Sequence, residues 1–157
     1  MSGLSTYEKF FGVGPLGALI SFALLVLARM IDRHIGHTGL MSHPAPLRYI
    51  AVVLCALGLF LHFWTMFTLR NWWRKDGLCT HGPFKYLRHP MYAAWVTFIS
   101  LGLSLALNSW IFLFWSMILH PIWHLLVTKE EKIMEQAFGD QYRNYCLRKG
   151  RFIPRFF

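Results

Sequence analysis

Acidic residues are scarce in this chain: 7 Asp+Glu stand against 16 Lys+Arg in 157 residues, for a net charge of +9. Charge of either sign is scarce as well. Charged residues make up 15%, where soluble domains hold about 25%, which leaves too few to wet a protein surface. Cysteine is sparse: Cys55, Cys79 and Cys146 lie far apart with no C-x-x-C spacing, so free thiols are expected rather than a disulfide framework. No internal repeat or low-complexity tract is present. These absences exclude disorder, a coiled coil and most soluble folds.

What fills the chain is apolar. Hydrophobic residues reach 55% and aromatics 17%, with 14 Phe and 7 Trp. The composition points to one small integral membrane domain over residues 1–157. Excess basic charge serves nucleic acid or an anionic membrane surface, and the apolar content decides for the membrane. No nucleic-acid partner is expected.

Four apolar runs predict an all-α bundle of about four transmembrane helices. They cover about 12–30, 49–69, 91–107 and 110–127. The first follows Lys9, lacks a clear small-x-small cleavage site, and reads as a retained span. The second rises roughly 31 Å as a helix, enough to cross the hydrocarbon core, and Trp64, Trp72 and Trp73 make an interfacial cluster at its far end. Only Asn108-Ser109 separates the last two, which predicts a tight helical hairpin, crossing fully or re-entrant. With four spans, thirteen Lys and Arg, Lys9, Arg74 and Lys75 among them, fall on the side of both termini and three on the other. The positive-inside rule then places both termini in the cytosol, in a cytoplasmic membrane or an endomembrane. The polar segments 70–90 and 128–157 share that side. Residues 33–46 form a Gly/His/Pro-rich connector on the other.

Gly82-Pro83 signals a turn, and Pro90 opens the third span where a missing N–H costs nothing. His89, before a proline, is pushed out of helical geometry. Arg88 and His89 therefore sit at a helix N-terminus, which favours a carboxylate or phosphate, or serves as a positive-inside anchor with a cap. Thr128 followed by Glu131 fits a capping box that opens a separate amphipathic helix on the bilayer, with Ile133, Met134 and Phe138 on its apolar face and Gly139 as its stop. Glu130 has no such structural reason. The adjacent acids could bind ribose hydroxyls or a cation, or be surface charges. The tail alternates aromatic and basic residues, as a lipid anchor or as a lid over a cytosolic pocket.

His62, His120 and His124 lie inside apolar spans. They are either neutral histidines hydrogen-bonded between helices or ligands of a haem or metal. His34, His37 and His43 lack a cysteine or acidic partner that would complete a zinc site, so no metal is assigned. Pro121 should kink the fourth span and free the carbonyl of Met117.

The ordered set Gly82-Pro83-Phe84, Arg88-His89-Pro90-Met91-Tyr92, Glu130-Glu131, Phe138-Gly139, Tyr142, Tyr145, Arg148, Arg151 and Pro154 resembles the isoprenylcysteine carboxyl methyltransferases and the related phospholipid N-methyltransferases. Single pieces are weak; the order and spacing over the C-terminal half are specific. Ala94 replaces a frequent Gly, and Phe84 a frequent Tyr. The resemblance implies S-adenosylmethionine as methyl donor, bound at the cytosolic ends of the last two spans. It implies cofactor-binding roles for Gly82, Pro83, Tyr86, Arg88, His89, Pro90, Tyr92, Glu130, Glu131 and Tyr142. It makes Glu130, Arg148 and Arg151 the catalytic candidates, with either arginine holding an anionic acceptor.

The expected reaction is methyl transfer to a lipophilic or prenylated acceptor at the membrane face, with a carboxylate oxygen as the leading acceptor. The alternatives are N-methylation of a phospholipid, methylation of another small lipophilic acceptor, a haem protein using His62 with His120 or His124, and a non-catalytic scaffold. A sterol reductase-like enzyme using a nicotinamide cofactor normally needs many more spans.

Overall fold

A computed structural model describes residues 12–72 and 77–155. Lys9, Trp73, Arg74 and Lys75, which enter the charge and interface arguments, lie outside the described residues. The fold is all-helical. Helix α1 spans Gly14–His34 and α2 spans Ala45–Trp72. A short 3-10 turn at Gly82–Lys85 precedes α3, Pro90–Ala106, and α4 spans Trp110–Arg148. Three helices, α1, α2 and α4, are long and apolar enough to cross a membrane, and α3 is shorter.

The α3–α4 hairpin forms as the sequence predicts. Asn108 takes φ 49°, and Ser109 caps α4 by accepting a hydrogen bond from the Ile111 N–H at 3.3 Å. The hairpin turn is strapped to the connector after α1. Leu40 N–H donates to the Asn108 carbonyl (3.2 Å) and Trp110 N–H to that of Thr38 (3.2 Å). Beneath the strap lies Asp32, 1% exposed, which accepts from Ser109 Oγ at 2.5 Å and faces His37 Nδ1 at 3.2 Å and Arg29 at 3.6 Å. These partners let α1 run to His34, past the residue 30 at which its apolar run ends.

Small residues bring α2 and α3 together. Ala51, Gly58 and Thr65 are the buried positions of α2 and recur every seven residues, one face of a helix. A Cβ at Gly58 would lie 2.9 Å from the Ala94 carbonyl oxygen, and one at Gly102 would lie 2.7 Å from Cys55 Sγ. Close backbone approach of this kind is how apolar helices associate in lipid. α3 passes through a π turn at Ala94–Ile99.

The core stripe runs down α4 through Phe112, Trp115, Leu119, Trp123 and Val127. Trp115 and Trp123 donate their indole N–H groups to the carbonyl (3.1 Å) and hydroxyl (3.0 Å) of Ser21, and the Trp123 ring fills the space beside Gly17. Ser100 and Ser116 share a hydrogen bond of 2.8 Å across the hairpin.

One local expectation needs correction. No new helix begins at Thr128: α4 is continuous from Trp110, so Thr128–Glu131 is no capping box. The Thr128 hydroxyl instead donates back to the His124 carbonyl at 2.9 Å. Gly139 ends the first helical run of α4, as expected: its backbone is non-helical (φ 50°, ψ −127°), and a second run follows across the kink to Arg148. Pro121 lies inside α4 with helical backbone angles, and its missing N–H leaves the Met117 carbonyl without a helical donor there. The run 110–138 before that kink rises roughly 43 Å, more than the hydrocarbon thickness. With 110–127 as the span, Glu130 and everything after it lie beyond the apolar layer.

Candidate active site

The chain after α4 turns back and pairs with the segment before α3. Leu87 and Gly150 form an isolated parallel bridge. Arg88 N–H donates to the Gly150 carbonyl at 2.8 Å, and His89 N–H to that of Arg151 at 3.1 Å. His89 sits at φ −125°, ψ 63°, outside the helical region as its position before Pro90 requires. Two distant segments thereby deliver Arg88, His89 and Arg151 to one place on α4.

That place is Glu131, 9% exposed. Its Oε1 lies 2.8 Å from an Arg88 guanidinium nitrogen and 3.3 Å from His89 Nε2. Arg151 Nε lies 3.1 Å from both carboxylate oxygens, and a second Arg151 nitrogen meets Oε2 at 2.5 Å. Burial opposes ionisation of Glu131, but the hydrogen bonds from His89 and Arg151 and the Arg88 charge outweigh it and lower the carboxyl to about 2.

Glu130 faces another way. Its Oε1 accepts from the Tyr92 hydroxyl at 3.1 Å, and Oε2 lies 3.8 Å from His89 Nδ1. The Val13 N–H, at the start of α1, also reaches this carboxylate. Burial raises the Glu130 carboxyl above its ordinary value, against the lowering effects of His89, Tyr92 and Val13. His89 thus lies between the two acids and stacks on Tyr92 at 5.7 Å and 12°. Phe152 closes over His89 and His124, with ring centroids 6.2 and 4.7 Å away.

A cavity of about 320 Å³ opens beside Glu131, lined by Arg88, Thr128, Glu131, Lys132, Glu135, Tyr142, Arg143 and Cys146. Three cations and two carboxylates mix on its walls. Arg88 Nε and Glu130 Oε2 are buried without a hydrogen-bond partner, which leaves one donor and one acceptor free near His89.

The structure therefore brings together most of the sequence-predicted site residues, but not all. Arg88, Glu131 and Tyr142 line the cavity. His89, Pro90, Tyr92 and Glu130 stand behind it against the start of α1, and Arg151 clamps Glu131. Gly82, with φ 57° against Thr68, and buried Pro83 shape the turn and lie outside the lining. Tyr86 is 55% exposed and also outside it. Arg148 lies on a second cavity, away from Glu131. Lys132, Glu135, Arg143 and Cys146 were not singled out from the sequence. The spacing of Glu135 four residues after Glu131, on one helix face, was the available signal. The histidines inside the apolar helices have separate contacts: His62 accepts from Trp95 Nε1 at 3.1 Å, while the His120 and His124 rings meet Phe152. Among the described residues no group of three His, Cys, Asp or Glu could hold a metal.

Comparison with known proteins gives two findings. A family model described as phospholipid methyltransferase matches residues 47–141, more than half of the chain. The fold is similar to the solved structure of a eukaryotic intramembrane Ras methyltransferase, an isoprenylcysteine carboxyl methyltransferase, with a TM-score of 0.62 and 21% identity. That match covers 98% of this chain and 57% of the other, so the chain spans little over half the length of that relative. No curated protein sequence matches the chain.

Proposed function

The chain belongs to the phospholipid methyltransferase family, and on that premise we propose that it transfers a methyl group from S-adenosylmethionine to a lipophilic acceptor at the membrane face carrying the Glu131 cluster. The observation that carries this reading is the cavity beside Glu131, lined by two carboxylates and two guanidinium groups that pair as Arg88–Glu131 (2.8 Å) and Arg143–Glu135 (2.7 Å). The residues fit the donor's chemistry. Its amino-acid portion needs a cation for the carboxylate and an acid for the ammonium, and Arg88 Nε and Glu130 Oε2 are a free donor and a free acceptor. Glu135, at the cavity wall, suits ribose hydroxyls, and Tyr142 offers an aromatic face to the base. When bound, the donor supplies an electrophilic methyl group on a sulfonium.

Glu131 acts as a positioning residue. Its oxygens are occupied by Arg88, His89 and Arg151, so its work is to fix two guanidinium groups and one imidazole. Fixed groups lower the barrier chiefly by alignment, and water exclusion helps because charge is neutralised in the transfer. Phe152 supplies part of that exclusion by covering His89 and His124. A carboxylate acceptor needs no base. An amine acceptor does, and His89, between the two acids, is then the candidate to take the proton. The amine reading, N-methylation of a phospholipid, draws support from the family match; the carboxylate reading draws on the structural neighbour. The acceptor enters from the bilayer, and both ends of the chain lie in the cytosol.

The test is calorimetric titration of the detergent-purified chain with S-adenosylmethionine and S-adenosylhomocysteine, alongside Glu130→Gln and His89→Ala. Saturable binding that both variants lose is expected. Unchanged binding and turnover in both would refute the site assignment.

A further inference from the structure

We propose that the cleft between the 80–85 turn and the end of α4 binds the phosphate of an anionic phospholipid headgroup. The cleft is a second cavity, of about 310 Å³. Lys85, Arg148 and Lys149 line it, with Thr80, Gln141 and Asn144 as neutral polar neighbours. No carboxylate lines it, in contrast to the cavity beside Glu131. A cationic sulfonium is disfavoured among three positive charges, and a phosphate is favoured there by charge and by hydrogen bonding.

These cations have no other occupation. Among the described residues, no ion pair involves Lys85, Arg148 or Lys149. Basic side chains at a helix C-terminus usually serve its free carbonyls. Here Arg155 does so, donating to the carbonyls of Leu147 (3.1 Å) and Cys146 (3.5 Å). Arg148 and Lys149 are left to face the cleft.

The walls are held in place without a ligand. The Tyr145 hydroxyl points at the carbonyls of Phe84 (2.7 Å) and Leu87 (3.1 Å), which ties α4 to the turn that carries Lys85. Large apolar groups stand exposed nearby: Leu147 at 72% and Tyr86 at 55%. Apolar and aromatic surface beside unpaired cations is the signature of a membrane interface, where a headgroup is at hand. The site is independent of what the first cavity holds.

The probe is native mass spectrometry of the full chain in detergent, with equal phosphatidylglycerol and phosphatidylcholine. Wild type is expected to retain phosphatidylglycerol in preference. Lys85→Gln and Lys149→Gln should each lower that preference about fivefold, while Lys129→Gln, an exposed cation outside the cleft, should leave it. Should Lys149→Gln fail to fold, Arg148→Gln on the exposed rim carries the same test. Equal retention of the two lipids by wild type, or an undiminished preference in folded cleft variants, overturns the proposal. An equal loss in Lys129→Gln also overturns it, because the effect is then general surface charge. Excess inorganic phosphate separates the two sources. Failure to displace the lipid supports a headgroup site, and full displacement with binding of phosphate alone overturns the lipid assignment.

Discussion

Arg151 grips Glu131 through its Nε, which lies 3.1 Å from both carboxylate oxygens, while Arg88 approaches Oε1 from its own segment at 2.8 Å. One carboxylate thus bridges two guanidinium groups that would otherwise repel. Glu131→Gln leaves both cations in a half-buried site with no counter-charge. A loss of up to about 3 kcal/mol is expected, since breaking a buried pair strands its partner. Arg151→Lys should recover little, because a single ammonium cannot contact both oxygens as the planar fork does. A double-mutant cycle on Glu131→Gln and Arg151→Gln, read by thermal melting in detergent, should give a coupling of roughly 1–3 kcal/mol. Additive single effects would show that the pair is ornamental.

The same pair predicts a dependence of stability on acid. The Glu131 carboxyl is depressed to about 2 in the folded chain, from an ordinary value of 4.5. A depressed carboxyl contributes stability that is present above the unfolded value and is lost as pH falls through the folded one. Wild type should therefore lose melting temperature between pH 4.5 and about 2 more steeply than Glu131→Gln, which has no proton to take up there. Parallel curves for the two proteins would place the acid-labile interaction elsewhere.

Gly12 gives a sharper test of the Glu130 side of the site. Its backbone sits at φ 47°, and a Cβ there would overlap Glu130 Oε1. Gly36 has a similar backbone, φ 74°, but a Cβ there meets nothing within 4 Å. Gly12→Ala and Gly36→Ala both carry the strain of a left-handed residue, about 1 kcal/mol. Only Gly12→Ala also pushes Glu130 away from Tyr92. Both variants should melt somewhat earlier, and only Gly12→Ala should weaken S-adenosylmethionine binding, about tenfold or more. Equal donor affinity in the two would detach the start of α1 from the site.

The helical hairpin was legible in the sequence because two residues, Asn108 and Ser109, leave a chain no other way to turn between apolar runs. Arg88 and His89 were legible because Pro90 fixes both a helix start and the geometry before it. Glu131 was legible by position but not by role. Thr128–Glu131 has a capping-box spacing, and that local pattern lost to α4, whose core stripe through Trp123 and Val127 carries the helix across Thr128 without a break. The partition of the Glu130–Glu131 pair could not be read at all. Adjacent residues on a helix point about 100° apart, so one faces α1 and the other the 87–89 and 150–152 segments, and the choice depends on packing between helices. Arg148 and Arg151 were equivalent as sequence. The chain reversal after Lys149 separates them, and the pairing of Gly150 with Leu87 that produces it lacks a local signature. Asp32 escaped notice because its partners, Ser109 and His37, come from the far side of the bundle and the next connector.

Asp32 separates stability from function. It lies at the end of the bundle opposite the Glu131 cluster, buried beneath the strap, and holds Ser109, the N-cap of α4. Asp32→Ala removes the acceptor for Ser109 and leaves Arg29 and His37 without their shared carboxylate. Loss of a buried hydrogen-bonded charge of this kind is expected to cost about 2 kcal/mol or more. Because Glu131 and its partners are held by their own contacts, with none drawn from this end, the surviving folded protein should bind S-adenosylmethionine with unchanged affinity. Melting temperature and calorimetric affinity, measured on one preparation at a temperature where the variant is still folded, decide the matter. A parallel fall in both would mean that the strap and the site move together, through α1, whose two ends touch Asp32's cluster and Glu130.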